Sequence, residues 1–310
     1  MYDGRGLCML KAAVPIFISL WLCPDVLQAQ DKIQQPPDGS REISVDEFYR
    51  RVKKDVDLIE NPTSIVGLKQ ALKDLMSYGS EAAPVFRKTL KKEGVKQDLR
   101  ALAILALGSL KGPQDIDMIR GLAKNPPKGE GHDHHAWWAA VAVCARLGDE
   151  LPLNRFRHGV LRLDQEDPVE PIQFAGYVRD KKCTEGLRWI ISVPMVHEDN
   201  QQRVRLALEA LLDIQDEATF QFIDLALGKD HYDANEQKMR ADLARGTLYL
   251  KTNVLFESLE AWKKWREENA GQIDDLLQPI WQPRQRIKVR ETIDSEKLPS
   301  LTRIGRPKKG

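Results

Sequence analysis

The sequence is poor in the features that would name an activity. No Gly-x-Ser-x-Gly, P-loop or His-Glu-x-x-His motif is present, so the nucleophile, phosphate cradle and paired zinc ligands built by those spacings are missing. Net charge is almost nil, +1 over 310 residues, and gives no bulk reason to bind a polyelectrolyte. Long apolar runs are short of membrane length: Ala12–Cys23 has twelve residues, where a spanning helix needs about 20. Cysteine is scarce at four residues. What remains is a foldable chain, 42% hydrophobic and 30% charged, long enough for one large or two ordinary domains.

The ends differ from the body. Residues 1–29 carry Arg5 and Lys11 ahead of the apolar run and close on Leu27-Gln28-Ala29, the pattern of a secretory signal peptide cleaved after Ala29. The expected location is therefore exported: periplasm, cell envelope or secreted, with no transmembrane span after cleavage. Cys8 and Cys23 leave with that segment. Cys144, in the apolar face of AAVAVCARL, and Cys183 remain, and both are expected as small buried hydrophobes rather than a disulfide. Residues 30–43 read as a polar linker. Residues 282–310 hold nine Lys or Arg against three Asp or Glu, a net of +6, and read as a disordered basic tail that folding can do without. Its Gly305-Arg306-Pro307-Lys308-Lys309 resembles the core of the minor-groove AT-hook, with Ile304 where the hook has Arg; nucleic acid is not an expected partner.

Between the ends the apolar residues keep helical time. Ser44-Val45-Asp46-Glu47 has capping-box spacing and opens a helix over 45–59 that buries Phe48, Val52, Val56 and Ile59. From Ser64 onward helices come in pairs. The first helices align on Tyr78, Leu110, Leu147, Val178 and Ile214, spaced 32, 37, 31 and 36 residues. Seven residues before each stands Ala71, Ala103, Ala140, Pro171 and Ala207, and three before stands Leu75, Leu107, Cys144, Ala175 and Leu211. A small residue two turns before a large one lets a neighbouring backbone approach. Pro171 predicts a helix that starts late or kinks. Each anchor is followed by a polar turn and then a second helix, as over 84–92, 115–124 and 153–162.

Periods of this length built from paired helices mean an α-solenoid. At Tyr78-Gly79-x-x-Ala82-Ala83-Pro84 and Arg146-Leu147-Gly148 the chain resembles the HEAT-repeat family over about residues 64–250. Leu259–Asn269, with its Trp262-x-x-Trp265-x-Glu267-Glu268-Asn269, resembles the closing segment of exported bacterial HEAT-repeat proteins. The resemblance implies an all-α fold of about five to six stacked HEAT-like pairs over 44–281, with the two indoles covering the open end. It implies little about chemistry.

Two groups of residues are candidates for function. Lys88, Arg120, Arg157 and Arg188 recur ten residues after successive anchors, with Asp224 at the fifth position. Arg155, His158 and Arg162 thicken the third unit. In a stack they form a basic stripe, expected to hold a protein or an anionic polysaccharide on the concave face. The plainer account is a solvated face paired with acids such as Asp117 or Glu185. The second group is His132, Asp133, His134 and His135, which suits a divalent metal such as Zn²⁺, Ni²⁺ or Cu²⁺. No second cluster supplies a further ligand, and Asp133 as an N-cap explains the loop without one. The expected function is a non-catalytic scaffold without a cofactor; the alternative is a metal-binding or lyase-like protein centred on His132–His135.

Overall fold

The computed structural model describes residues 41–63, 65–127, 134–161, 169–193, 198–228, 232–252, 254–270 and 287–302. The chain divides into residues 1–39 and 40–310, and every described residue belongs to the second unit. The expected signal peptide and nearly all of the expected linker lie outside the described residues. Among them no helix is long and apolar enough to cross a membrane.

The described residues are all-α apart from one pair of three-residue strands. The strand β1 (Arg41–Ile43) leads into α1 (Val45–Glu60) and α2 (Ile65–Ser77). After α2, as first helix, comes its second helix α3 (Ala83–Lys91), and the pairs then follow as α4 (Gln97–Leu110) with α5 (Pro113–Lys124), α6 (His134–Arg146) with α7 (Glu150–Leu161), and α8 (Glu170–Val178) with α9 (Lys181–Ser192), before α10 (Glu198–Ile214). Next come α11 (Glu217–Leu227), α12 (Ala234–Thr252) and α13 (Leu259–Glu268), then a second strand, β2 (Ile287–Val289). The helices α4, α6, α8, α10 and α12 pack each on the next, and α7, α9 and α11 do the same.

The register read from the sequence is visible atom by atom. Ala71, Ala103, Ala140 and Ala207 are fully buried, as are Leu75, Leu107, Ala175 and Leu211. Backbones meet closely where glycine stands two residues before the anchor. A methyl on Gly108 would lie 2.5 Å from Val143 Cγ2, and one on Gly176 would lie 3.1 Å from Ala210 Cα. The residue after every anchor is left-handed: Gly79, Lys111, Gly148, Arg179 and Gln215 have φ of 59°, 56°, 89°, 57° and 61°. Each closes its first helix with one reversed residue. Pro171 sits in the first turn of α8, which has nine residues against 14, 13 and 17 for α4, α6 and α10. Leu147 departs from the pattern and is partly exposed.

Three expectations need correction or completion. Ser44 does cap α1, accepting from the Glu47 amide at 3.3 Å, but the Glu47 carboxylate turns forward to Arg51 instead of back to the cap. Cys144 and Cys183 are both buried free thiols, and burial first of all raises their pKa values, to about 11 and about 12. The tail is the main correction. Over 287–302 it is not a disordered appendage: β2 pairs in parallel with β1, Arg41 opposite Ile287 and Ile43 opposite Val289, and Leu298 and Leu301 are buried in the common core. Composition registered its charge, whereas two leucines and its main chain hold it.

One charge is buried near the start. Asp55 on α1 is almost fully buried and accepts from the Tyr78 hydroxyl at 3.1 Å. Desolvation, helped by the Asp74 charge, raises its pKa from 3.8 to about 7. A group with a raised folded-state value takes up a proton on folding, so its contribution is full below about pH 4 and is lost as pH rises through about 7. Asp55→Asn keeps the acceptor for Tyr78 without the charge. It is expected to stabilise the protein by about 2 kcal/mol at pH 8 and hardly at all at pH 4, as read from urea midpoints at both values.

The repeat register makes a second prediction. Lys111→Gly relieves a left-handed non-glycine residue and is expected to gain about 0.5–1 kcal/mol. Ala140→Leu overpacks a closed contact and is expected to lose about 1–3 kcal/mol. Thermal melts of the two variants should move in opposite directions.

Candidate functional site

The arginines of the expected basic stripe face acids of the same chain. Arg120 on α5 grips Asp149, just before α7, through Nε and Nη2 at 2.9 and 3.0 Å. Arg157 on α7 grips Asp180, the N-cap of α9, at 2.9 and 2.6 Å. Arg188 on α9 grips Asp216, the N-cap of α11, at 2.9 and 2.6 Å. A fourth fork precedes them, from Arg87 on α3 to Asp115 in the first turn of α5 at 2.6 and 2.8 Å. Its guanidinium comes from the residue before Lys88, so in the first unit the periodic position and the fork position differ by one.

Every fork runs from one second helix to the N-terminal end of the next. Asp180 also accepts from the Lys182 and Cys183 amides, and Asp216 from the Ala218 amide. One carboxylate therefore caps a helix, complements its dipole and takes a planar guanidinium. The hydrogen bond from Arg157 is the first cause that lowers the pKa of Asp180, and the one that Arg120 donates to Asp149 is the first that raises its own. The acids expected as partners, Asp117 and Glu185, share a helix with Arg120 and Arg188; the acids that pair with them stand 29 and 28 residues on.

Both ends of the stripe are also engaged. Lys88 donates to the Glu296 and Leu298 carbonyls at 2.6 and 2.8 Å. Asp224, the acidic fifth position, accepts from Trp262 Nε1 at 3.1 Å and faces Arg266 at 3.7 Å. Trp262 is fully buried, stacks on Trp265 and Phe220 at 5.7 and 6.2 Å, and meets Phe256 edge-on. Arg266 lies over Phe220 and Trp262 at 4.6 and 5.5 Å. The Trp262 indole is thus enclosed, its N–H taken by Asp224 and its ring packed among three aromatic rings. Arg155 lies over Trp137 at 5.4 Å, and His158 is exposed.

The histidine group separates. His132 and Asp133 lie outside the described residues, as does Arg162. His134 is exposed at the start of α6, while His135 is buried. Its ring presents Nε2 to Asp98 of α4 at 3.6 Å and Nδ1 to Glu170 of α8 at 3.9 Å, with Phe174 edge-on at 5.1 Å. Burial works against the Glu170 carboxylate, yet His135 and the backbone bring its pKa below the ordinary value. His135 thus bridges three successive first helices, a role that its place beside a polar loop concealed. Among the described residues no cluster of His, Cys, Asp and Glu suits a metal ion.

The forks make a graded prediction. Asp216→Ala removes the cap and both guanidinium bonds, and the cap alone is worth about 1 kcal/mol. Asp216→Asn keeps a cap and loses the charge, and is expected to cost less, with the difference from the parent shrinking in 1 M salt. Urea melts of parent and both variants at low and high salt check the order.

Compared with known protein families, curated proteins and solved structures, the chain gives no match.

Proposed function

We propose that the chain is a non-catalytic, exported scaffold: an α-solenoid of about five to six HEAT-like helix pairs that binds a protein partner across its second helices. The observation that carries this reading is where apolar side chains meet solvent. Six of the nine exposed large hydrophobics among the described residues, Met118, Leu122, Leu151, Leu161, Trp189 and Leu225, belong to α5, α7, α9 and α11. The packed first helices α4, α6, α8 and α10 carry none of them. Leu151 is 81% exposed, Trp189 55% and Leu161 54%. Exposed aromatic and aliphatic side chains beside bound arginines have the composition of a protein interface. The forks support it too, because they fix neighbouring second helices against each other and so pre-organise what the surface presents.

The outer edges of the fork arginines support a second reading, an anionic polysaccharide on the stripe, since the Arg120 and Arg188 side chains remain 44% and 51% exposed. One experiment separates the two. Tagged parent and a Leu151→Ser, Leu161→Ser, Trp189→Ser variant are used to recover partners from the native envelope fraction, and both are run on polyuronate resin. The variant is expected to fold normally and to lose the protein that the parent retains. Equal recovery by both, or resin binding at physiological salt that the variant keeps, counts against the protein reading.

A further inference from the structure

The strap over 287–302 is bound in the manner of a ligand. Seven of its main-chain atoms are held by the rest of the chain. The Arg290 amide donates to the Ile43 carbonyl at 3.1 Å, extending the β1–β2 pairing. The Tyr49 hydroxyl accepts from the Asp294 amide at 2.7 Å and donates to its carbonyl at 3.1 Å. Lys88 takes the Glu296 and Leu298 carbonyls. Thr89 Oγ1 accepts from the Leu301 amide at 2.9 Å, and Glu60 Oε1 from the Thr302 amide at 2.7 Å. Strand addition followed by side-chain clamps on an extended backbone is a recurring mode of peptide capture.

The strap's polar side chains contribute little. Leu298 and Leu301 are buried, while Lys288, Arg290, Glu291, Thr292 and the run from Asp294 to Lys297 are exposed. The fit is also incomplete. An open depression of about 510 Å³ lies between Arg290–Ile293 and the Glu81 and Pro84 side of the groove. The site thus reads backbone, two buried leucine anchors and three partly buried apolar side chains, Ile287, Val289 and Ile293, and the middle of the strap borders an open depression.

We propose that the groove formed by β1, α1 and α3 is a peptide-docking site occupied in cis by the strap, and that an extended segment of another protein with leucines three residues apart displaces it. This surface is separate from that of α5–α11 and does not depend on the reading above. The test uses the full chain with a protease site inserted after Ala270 and a fluorescent label beyond Thr302. After cleavage the labelled strap stays with the body on gel filtration, and excess synthetic peptide Ile287–Thr302 displaces it. The same peptide carrying Leu298→Asp and Leu301→Asp competes at least about tenfold less well, since a tenfold loss is only about 1.4 kcal/mol, no more than burial of one leucine supplies. Immediate loss of the strap with no binding of added peptide, retention that no peptide displaces, or equal competition by both peptides overturns the proposal. Should cleavage unfold the body, the uncut Leu298→Asp, Leu301→Asp chain answers the same question. Its vacated groove must bind the parent peptide, and the parent protein must not.

Discussion

The fork between an arginine on one second helix and an aspartate at the N-terminus of the next is the constraint on which the rest hangs. A solvent-exposed ion pair contributes little by itself. These pairs differ in geometry and company. Two N–H groups meet two oxygens at 2.6–3.0 Å in all four, and the Asp115 and Asp216 side chains are 4% and 8% exposed. A planar fork permits one separation and one relative tilt of the two groups. Apolar packing between helices is tolerant by comparison, and side chains can slide within it. The forks therefore set how neighbouring pairs meet, and the buried alanines and glycines let the first helices close to the distance that this setting demands.

The two ends show what such a series needs. A last helix has no following aspartate to hold, and a first helix has no preceding arginine. At one end the sign inverts, and Asp224 takes an indole N–H and a guanidinium from α13. At the other, Lys88 holds carbonyls of the strap. Position ten after the anchor thus joins neighbours throughout, with its chemistry altered where the neighbour is a closing segment.

The all-α character and the helix positions were largely legible because their signals are local. Anchor spacing, the small residue seven before it, the reversed residue after it and the short helix at Pro171 each reflect one turn of backbone or one helix face. The stripe was legible as a position and not as a bond, since Arg120 and Asp149 are 29 residues apart and no local rule joins them. The acids on the same helix, Asp117 and Glu185, were the only ones that proximity in sequence could offer. His135 was hidden for a similar reason: its partners Asp98 and Glu170 are contributed by two other helices. The strap was the least legible, because recognition through main-chain amides and carbonyls leaves no trace in residue identity. Its apolar residues, Ile287, Val289, Ile293, Leu298 and Leu301, lie scattered in a tail with nine basic residues and keep no sustained period.

The parallel pairing of Arg41–Ile43 with Ile287–Val289 has a mechanical consequence. Tension applied between residues 41 and 302 enters at the first strand and leaves beyond the second, so it pulls the two along their length in opposite directions. Their hydrogen bonds are loaded together in shear rather than unzipped one at a time. Beyond β2 the strap is also held by Tyr49 and Glu60 of α1 and by Lys88 and Thr89 of α3, so those two helices share the load. A pull on the two ends is therefore met at the strap and its groove before it reaches the remaining helices.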